Sequence, residues 1–124
     1  MKVNIYLETD KQTQECTWRK YGYVLEAMCG RRPPVTRVGF GSVEGTYHKC
    51  NLQALAEALA QFRKECEVCI HTKDAFVAAR ILKIDEIAAA DFKDTKGKPI
   101  KNAQEWESIC RKIKERGIVI SSQP

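Results

Sequence analysis

Between residues 43 and 52 the hydrophobic period of the chain changes from two to 3.6, and that switch narrows what it can fold into. Residues 2–8 alternate Val3, Ile5 and Leu7 against Asn4, Tyr6 and Glu8, the pattern of a half-buried strand. Residues 9–17 are polar and turn-like. Residues 18–29 alternate again through Tyr21, Tyr23, Leu25, Ala27 and Cys29 until Gly30, Pro33 and Pro34 break the run. Residues 35–43 form a third extended segment, loosened by Gly39 and Gly41. Three successive strands with short turns predict an antiparallel meander. Leu52, Leu55, Ala56, Leu59 and Phe62 then follow a helical stripe. Asn51 is the expected N-cap, its side-chain oxygen accepting a first-turn amide.

Val68 and Ile70 mark a fourth strand. Asp74 is expected to cap a helix reaching about Leu82, and the Ala-rich residues 84–92 a further one. Residues 93–101 read as a mainly basic loop. Asn102 with Glu105 makes a capping-box pattern, and Trp106, Ile109, Cys110 and Ile113 give the buried stripe of the helix that follows. Gly117 stops that helix, and Ile118, Val119 and Ile120 make a last strand. The sum is one α/β domain over residues 1–124, with a five-stranded mixed sheet and right-handed crossovers joining strands four and five.

No apolar run reaches the roughly 18 residues of a membrane span. The N-terminus alternates and lacks the apolar stretch of a signal peptide, so a cytoplasmic protein with no membrane partner is expected. Net charge is +5, which suits a nucleic-acid partner without requiring one. Cys66 and Cys69 are the close pair among six cysteines. They fall in a strand and lack the second pair of a zinc knuckle, so reduced thiols and no metal site are expected.

Five segments carry a resemblance. Cys66-Glu-Val-Cys-Ile-His-Thr-Lys-Asp-Ala-Phe-Val77 is similar to the strand ending in Thr-Asp-Ser, followed by a helical aromatic-Val pair, of the ribonuclease H family. Lys98-Pro-Ile-Lys-Asn-Ala-Gln-Glu-Trp106 resembles its Lys-Pro-Val-Lys-Asn-x-x-x-Trp. Tyr21-Gly-Tyr-Val-Leu25 resembles Tyr-Gly-Ala-Ile-Leu, and Thr46-Tyr-His-Lys-Cys-Asn-Leu52 resembles Thr-Asn-Asn-Arg-Met-Glu-Leu; Ala58-Leu59 keeps the helix register. The resemblance covers roughly residues 2–121 and implies the ribonuclease H-like fold.

It also implies a chemistry from which this chain departs. Active members cut the RNA strand of RNA–DNA hybrids with two Mg²⁺ ions about 4 Å apart, held by carboxylates. The first-strand Asp corresponds to Glu8, the helix Glu to Asn51, and the fourth-strand Asp to Lys73. The last Asp would lie on a terminal helix, which the resemblance makes missing because the chain ends at Pro124. Asp10 or Asp74 are the acids that would rescue a metal site. The hybrid-contacting Asn-Asn-Arg corresponds to Tyr47, His48 and Lys49, and Lys93, Lys96, Lys98 and Lys101 lie where some members carry a basic hybrid-binding protrusion.

Three functions follow as expectations. The first is a catalytically degenerate ribonuclease H-like domain that binds an RNA–DNA hybrid or structured RNA without cleaving it and without a cofactor. The second is an active, Mg²⁺-dependent enzyme with relocated carboxylates. The third is a protein-interaction scaffold. Lys73 is expected to pair with Glu8 where the metals would sit.

Overall fold

The structure, a computed structural model, describes residues 1–121. β1 (Lys2–Thr9), β2 (Thr17–Cys29) and β3 (Arg32–Gly45) precede α1 (Tyr47–Leu59) and β4 (Cys66–His71). α2 (Ala75–Ile81), α3 (Ile84–Ala89), α4 (Ala103–Glu115) and β5 (Ile118–Ser121) follow. The five strands form one sheet in the order β3-β2-β1-β4-β5. β1–β2 and β2–β3 are antiparallel; β1–β4 and β4–β5 are parallel. This is the expected mixed α/β sheet. Among the described residues no helix is long and apolar enough to cross a membrane.

The core lies on one face of the sheet. Val3, Ile5 and Leu7 pack with Leu52, Leu55 and Leu59 of α1 and with Trp106, Ile109 and Ile113 of α4. Trp106 is 1% exposed, an anchor at the start of its helix. On β2 the inward positions carry Tyr21 and Tyr23, whose rings lie across Gly41 and Gly39 of β3. A Cβ on either glycine would sit 2.3 or 2.1 Å from a phenol, so only glycine admits these rings. Tyr21 then donates to Glu57 of α1 at 2.5 Å, fastening sheet to helix. Burial, with the Glu57 carboxylate beside it, holds the Tyr21 phenol far above its ordinary range.

Four local expectations are corrected. α1 starts earlier than Asn51: Thr46 is its N-cap, accepting from the Lys49 amide, and Asn51 is a buried residue inside the helix. Tyr47 and Asn51, four apart, extend the buried stripe backwards by a turn. Asn102 forms no capping box; its backbone is left-handed, φ 60°, and its side chain makes no cap hydrogen bond. The usual cap has extended backbone, which aims the side chain at the first-turn amides. α3 ends at Ala89 because Asp91 and Phe92 turn left-handed, with φ 55° and 56°. β3 begins at Arg32, before its two prolines, because as the edge strand it tolerates residues without an N–H.

Arg19 was not anticipated in the core. It is 1% exposed and has no carboxylate partner among the described residues. Its Nε donates to the carbonyl of Gly45 (2.9 Å), just before α1. Its terminal nitrogens donate to the carbonyls of Lys11, Thr13 and Glu15, and to the Thr13 hydroxyl. The planar fork thus organises the whole connection between β1 and β2. Arg19→Met should cost about 2–4 kcal/mol in urea denaturation, because it strands several carbonyls at once. A loss under about 1 kcal/mol would show that water replaces the guanidinium freely.

Candidate functional site

The parallel register between β1 and β4 sets the geometry of the site. Tyr6 pairs with His71, so two residues further along lie Glu8, near the end of β1, and Lys73, just past β4. The two positions that resemblance assigns to metal-binding acids therefore lie at the same end of the sheet. Their expected ion pair is not formed. Both side chains are exposed, and none of the ion pairs among the described residues joins them. Two hydrated surface charges gain little from contact, which explains why each stays in solvent.

Asp74, one residue beyond, has the opposite fate. It is 1% exposed. Oδ1 accepts from the amides of Phe76 and Val77, both at 3.1 Å, which makes Asp74 the N-cap of α2 as the sequence predicts. Oδ2 accepts from Nδ1 of His48 (2.7 Å) and from the Asn51 amide (3.4 Å). Asn51 Nδ2 also reaches the Tyr47 carbonyl, while its Oδ1 accepts from the Thr72 hydroxyl. Thr72 in turn accepts from the Asp74 amide. The closed network joins α1 to the β4–α2 turn and leaves no buried side-chain polar atom unpaired among the described residues.

This donor set does not suit a two-Mg²⁺ centre. Such a centre needs several anionic oxygens free to face the ions. Here Lys73 brings a cation, the Asn51 oxygen is engaged by Thr72, and both Asp74 oxygens are engaged by amides and His48. Glu8 remains as an exposed carboxylate, and Asp10 lies one residue past β1 with its amide bonded to Lys20. Among the described residues no three His, Cys, Asp or Glu side chains are placed to share an ion. All six cysteines are free thiols. That of Cys50, buried at the inner face of α1, is pushed up to about 11 by desolvation.

Around this network lies a run of cations and rings, with His48, Lys49 and Arg80 half-buried and Phe76 exposed. The His48 ring packs on Phe76, centroids 4.7 Å apart, and the Arg80 guanidinium covers Phe76 at 4.3 Å. The Lys49 stem lies against Gly45, where a Cβ would meet it at 2.6 Å. Phe76 and Arg80 continue into a recess of about 660 Å³ between α2, α3 and the 93–101 loop, with Lys83 and Lys93 on its walls. In that loop Asp94 Oδ1 accepts from the amides of Lys96 and Lys98, both at 2.9 Å, so the turn is organised by its one acid. Lys96, Lys98 and Lys101 are exposed; Lys93 makes a solvent-facing contact with Asp91 at 3.5 Å. His48 and Lys49 thus belong to the network end of α1, and of the four loop lysines Lys93 lines the recess. The sequence reading singled out Phe76 as the aromatic of the aromatic-Val pair but missed Arg80, although their i, i+4 spacing on a short helix is the signal of a stacked pair.

No family model matches the chain. It is 31% identical over 91 residues to a ribonuclease H of Rhizobium etli, a match covering 73% of this chain and 54% of the relative. A ribonuclease H of Actinobacillus pleuropneumoniae is 28% identical over 83 residues, covering 66% and 54%. The chain thus spans about half the length of the curated relatives it matches. Among solved structures, the ribonuclease H domain of PFV superposes with a TM-score of 0.69 at 16% identity, over 98% of this chain and 77% of that one. The LC9 type 1 ribonuclease H superposes with a TM-score of 0.68 at 15% identity, over 98% and 62%. Sheet order and helix placement give the chain the ribonuclease H-like fold, and the aligned segments make it similar to these ribonucleases H.

Two outcomes test the site. Asp74→Ala should cost about 2–4 kcal/mol in denaturation, combining a lost helix cap with stranded donors on Asn51 and His48; a loss below about 0.5 kcal/mol would mean that the network is incidental. Lys73→Met and Glu8→Gln should combine additively, and a coupling above about 1 kcal/mol in the double-variant cycle would reveal a pair that the geometry lacks.

Proposed function

We propose that this domain binds nucleic acid, an RNA–DNA hybrid or structured RNA, without metal-dependent cleavage. The observation that carries this reading is the engagement of the site's one buried carboxylate. Asp74 is committed to α2, His48 and Asn51, while Lys73 occupies the neighbouring position. A foamy viral protease-reverse transcriptase solved with an RNA/DNA hybrid superposes on this chain with a TM-score of 0.71 at 14% identity, over 99% of this chain and 17% of that one. It supports a polyanion as the ligand.

In this reading the chain's own residues recognise phosphate and sugar. Lys49 and Arg80 flank the duplex on one side of the recess, and Lys93, Lys96, Lys98 and Lys101 meet the opposite backbone. His48, held by Asp74, presents its other ring edge to the groove. Such contacts are electrostatic and tolerant of sequence. Lys73 adds attraction for phosphate at the point where a nuclease would place its ions. Relocated-acid catalysis would need Mg²⁺ held by Glu8 with Asp10, or with Asp74 once that carboxylate released His48 and the α2 amides. A scaffold role would leave the lysines without a ligand.

Hybrid binding should weaken steeply with salt. Combined replacement of Lys96, Lys98 and Lys101 by Ala should flatten the slope of log K against log salt by up to about three phosphate contacts. RNA-strand cutting in Mg²⁺ or Mn²⁺ should be absent. Cutting that disappears in Glu8→Gln would establish the active alternative, and failure to bind hybrid at low salt would favour the scaffold.

A further inference from the structure

A second recess lies at the opposite end of the sheet, and its origin is geometric. β2 has 13 residues and at about 3.4 Å each runs about 40 Å. α1 also has 13 residues but at 1.5 Å each covers only about 20 Å. The hairpin end of the β2–β3 ribbon therefore projects beyond the helix layer. Ala27 and Val35 are left as an apolar shelf, with Leu25 at its inner edge and Phe62 from the turn after α1 as its wall. The space between them is about 480 Å³. Its rim is cationic, from Arg37 on β3 and from Arg63 and Lys64 in the turn. None of these three forms an ion pair or a side-chain hydrogen bond among the described residues. The acid on the rim, Glu65, packs its stem against Gly117.

We propose that this recess is a binding site for a small amphipathic anion, with an alkyl or aryl body on the Ala27–Val35 shelf and a carboxylate or phosphate head among Arg37, Arg63 and Lys64. Two properties point to that class together. An apolar shelf alone would accept any greasy molecule, and unpaired cations alone would attract any polyanion. A floor that gains from each buried methylene, next to guanidinium forks that suit carboxylate or phosphate, selects a ligand with both parts. A duplex reaches the cations but is too wide to enter the shelf. The site is remote from Glu8 and Lys73, which lie at the other ends of β1 and β4, and it stands independently of the nucleic-acid reading.

Two thiols on the lining provide the readout, the half-buried Cys29 and the buried Cys66. Decanoate is the probe, decanol and inorganic phosphate are its two halves, and N-ethylmaleimide labelling of Cys29 is followed by mass spectrometry with exposed Cys16 as reference. Decanoate should slow Cys29 labelling several-fold without affecting Cys16, and titration calorimetry should show saturable binding. Decanol and phosphate should each bind at least about tenfold more weakly. The combined variant Arg37→Ala, Arg63→Ala, Lys64→Ala should lose about tenfold or more in decanoate affinity, since the charge-assisted hydrogen bonds to the head group are removed. Val35→Glu, at an exposed position that tolerates substitution, should abolish protection while leaving the thermal midpoint in place. Equal binding of decanol, equal binding of phosphate, unaltered affinity in the triple variant, or unprotected Cys29 with saturating decanoate would each overturn the proposal.

Discussion

The bond between a buried carboxylate and its four donors is the constraint on which the site end of this molecule depends. Asp74 receives two amides that start α2, the imidazole of His48 and the amide of Asn51. Charge-assisted hydrogen bonds of this kind are the stronger ones, and a buried acid requires them. Because His48 and Asn51 both belong to α1, the same carboxylate fixes where that helix meets the β4–α2 turn. An acid so used is a structural element, whereas a hydrolytic centre needs its oxygens free.

That trade explains how the chain keeps the ribonuclease H-like architecture while its site residues differ. The resemblance aligns Lys73 with a metal-binding Asp, and Asp74 follows immediately. One position along the chain at a strand end changes direction, and here it turns a solvent-facing side chain into a buried one. The exposed cation and the buried anion do not cancel each other by contact; they serve a surface and a core. At the same end of the sheet Arg19 does comparable work without an anion, gathering backbone carbonyls into one planar fork.

Much of the fold was legible because burial follows period. Val3, Ile5 and Leu7, then Leu52, Leu55 and Leu59, mark the inward faces, and the change between the two periods separates meander from crossover. Asp74 was legible as a cap because a short acid before an apolar helical stripe has few other uses. What escaped was polar and tertiary. Arg19 occupies the inward parity of Tyr21, Tyr23 and Leu25, a signal that was present, but the carbonyls it holds come from a loop whose shape no local pattern sets. Asn51 has the right chemistry for a cap and lies instead one turn inside, since Tyr47 extends the buried stripe. The left-handed turn at Asp91 and Phe92 follows from packing Phe92 back against the core, which propensity does not anticipate. The Glu8–Lys73 pairing failed for a similar reason: register predicts adjacency, whereas contact between exposed charges depends on solvent.

The central claim is that the acids at this sheet end are not arranged for divalent ions, and Mn²⁺ binding followed by electron paramagnetic resonance addresses it directly. The wild-type protein should leave Mn²⁺ free at concentrations where Lys73→Asp, which sets a second carboxylate beside Glu8, binds it measurably. Wild-type binding as tight as that of Lys73→Asp, and lost in Glu8→Gln, would contradict the account.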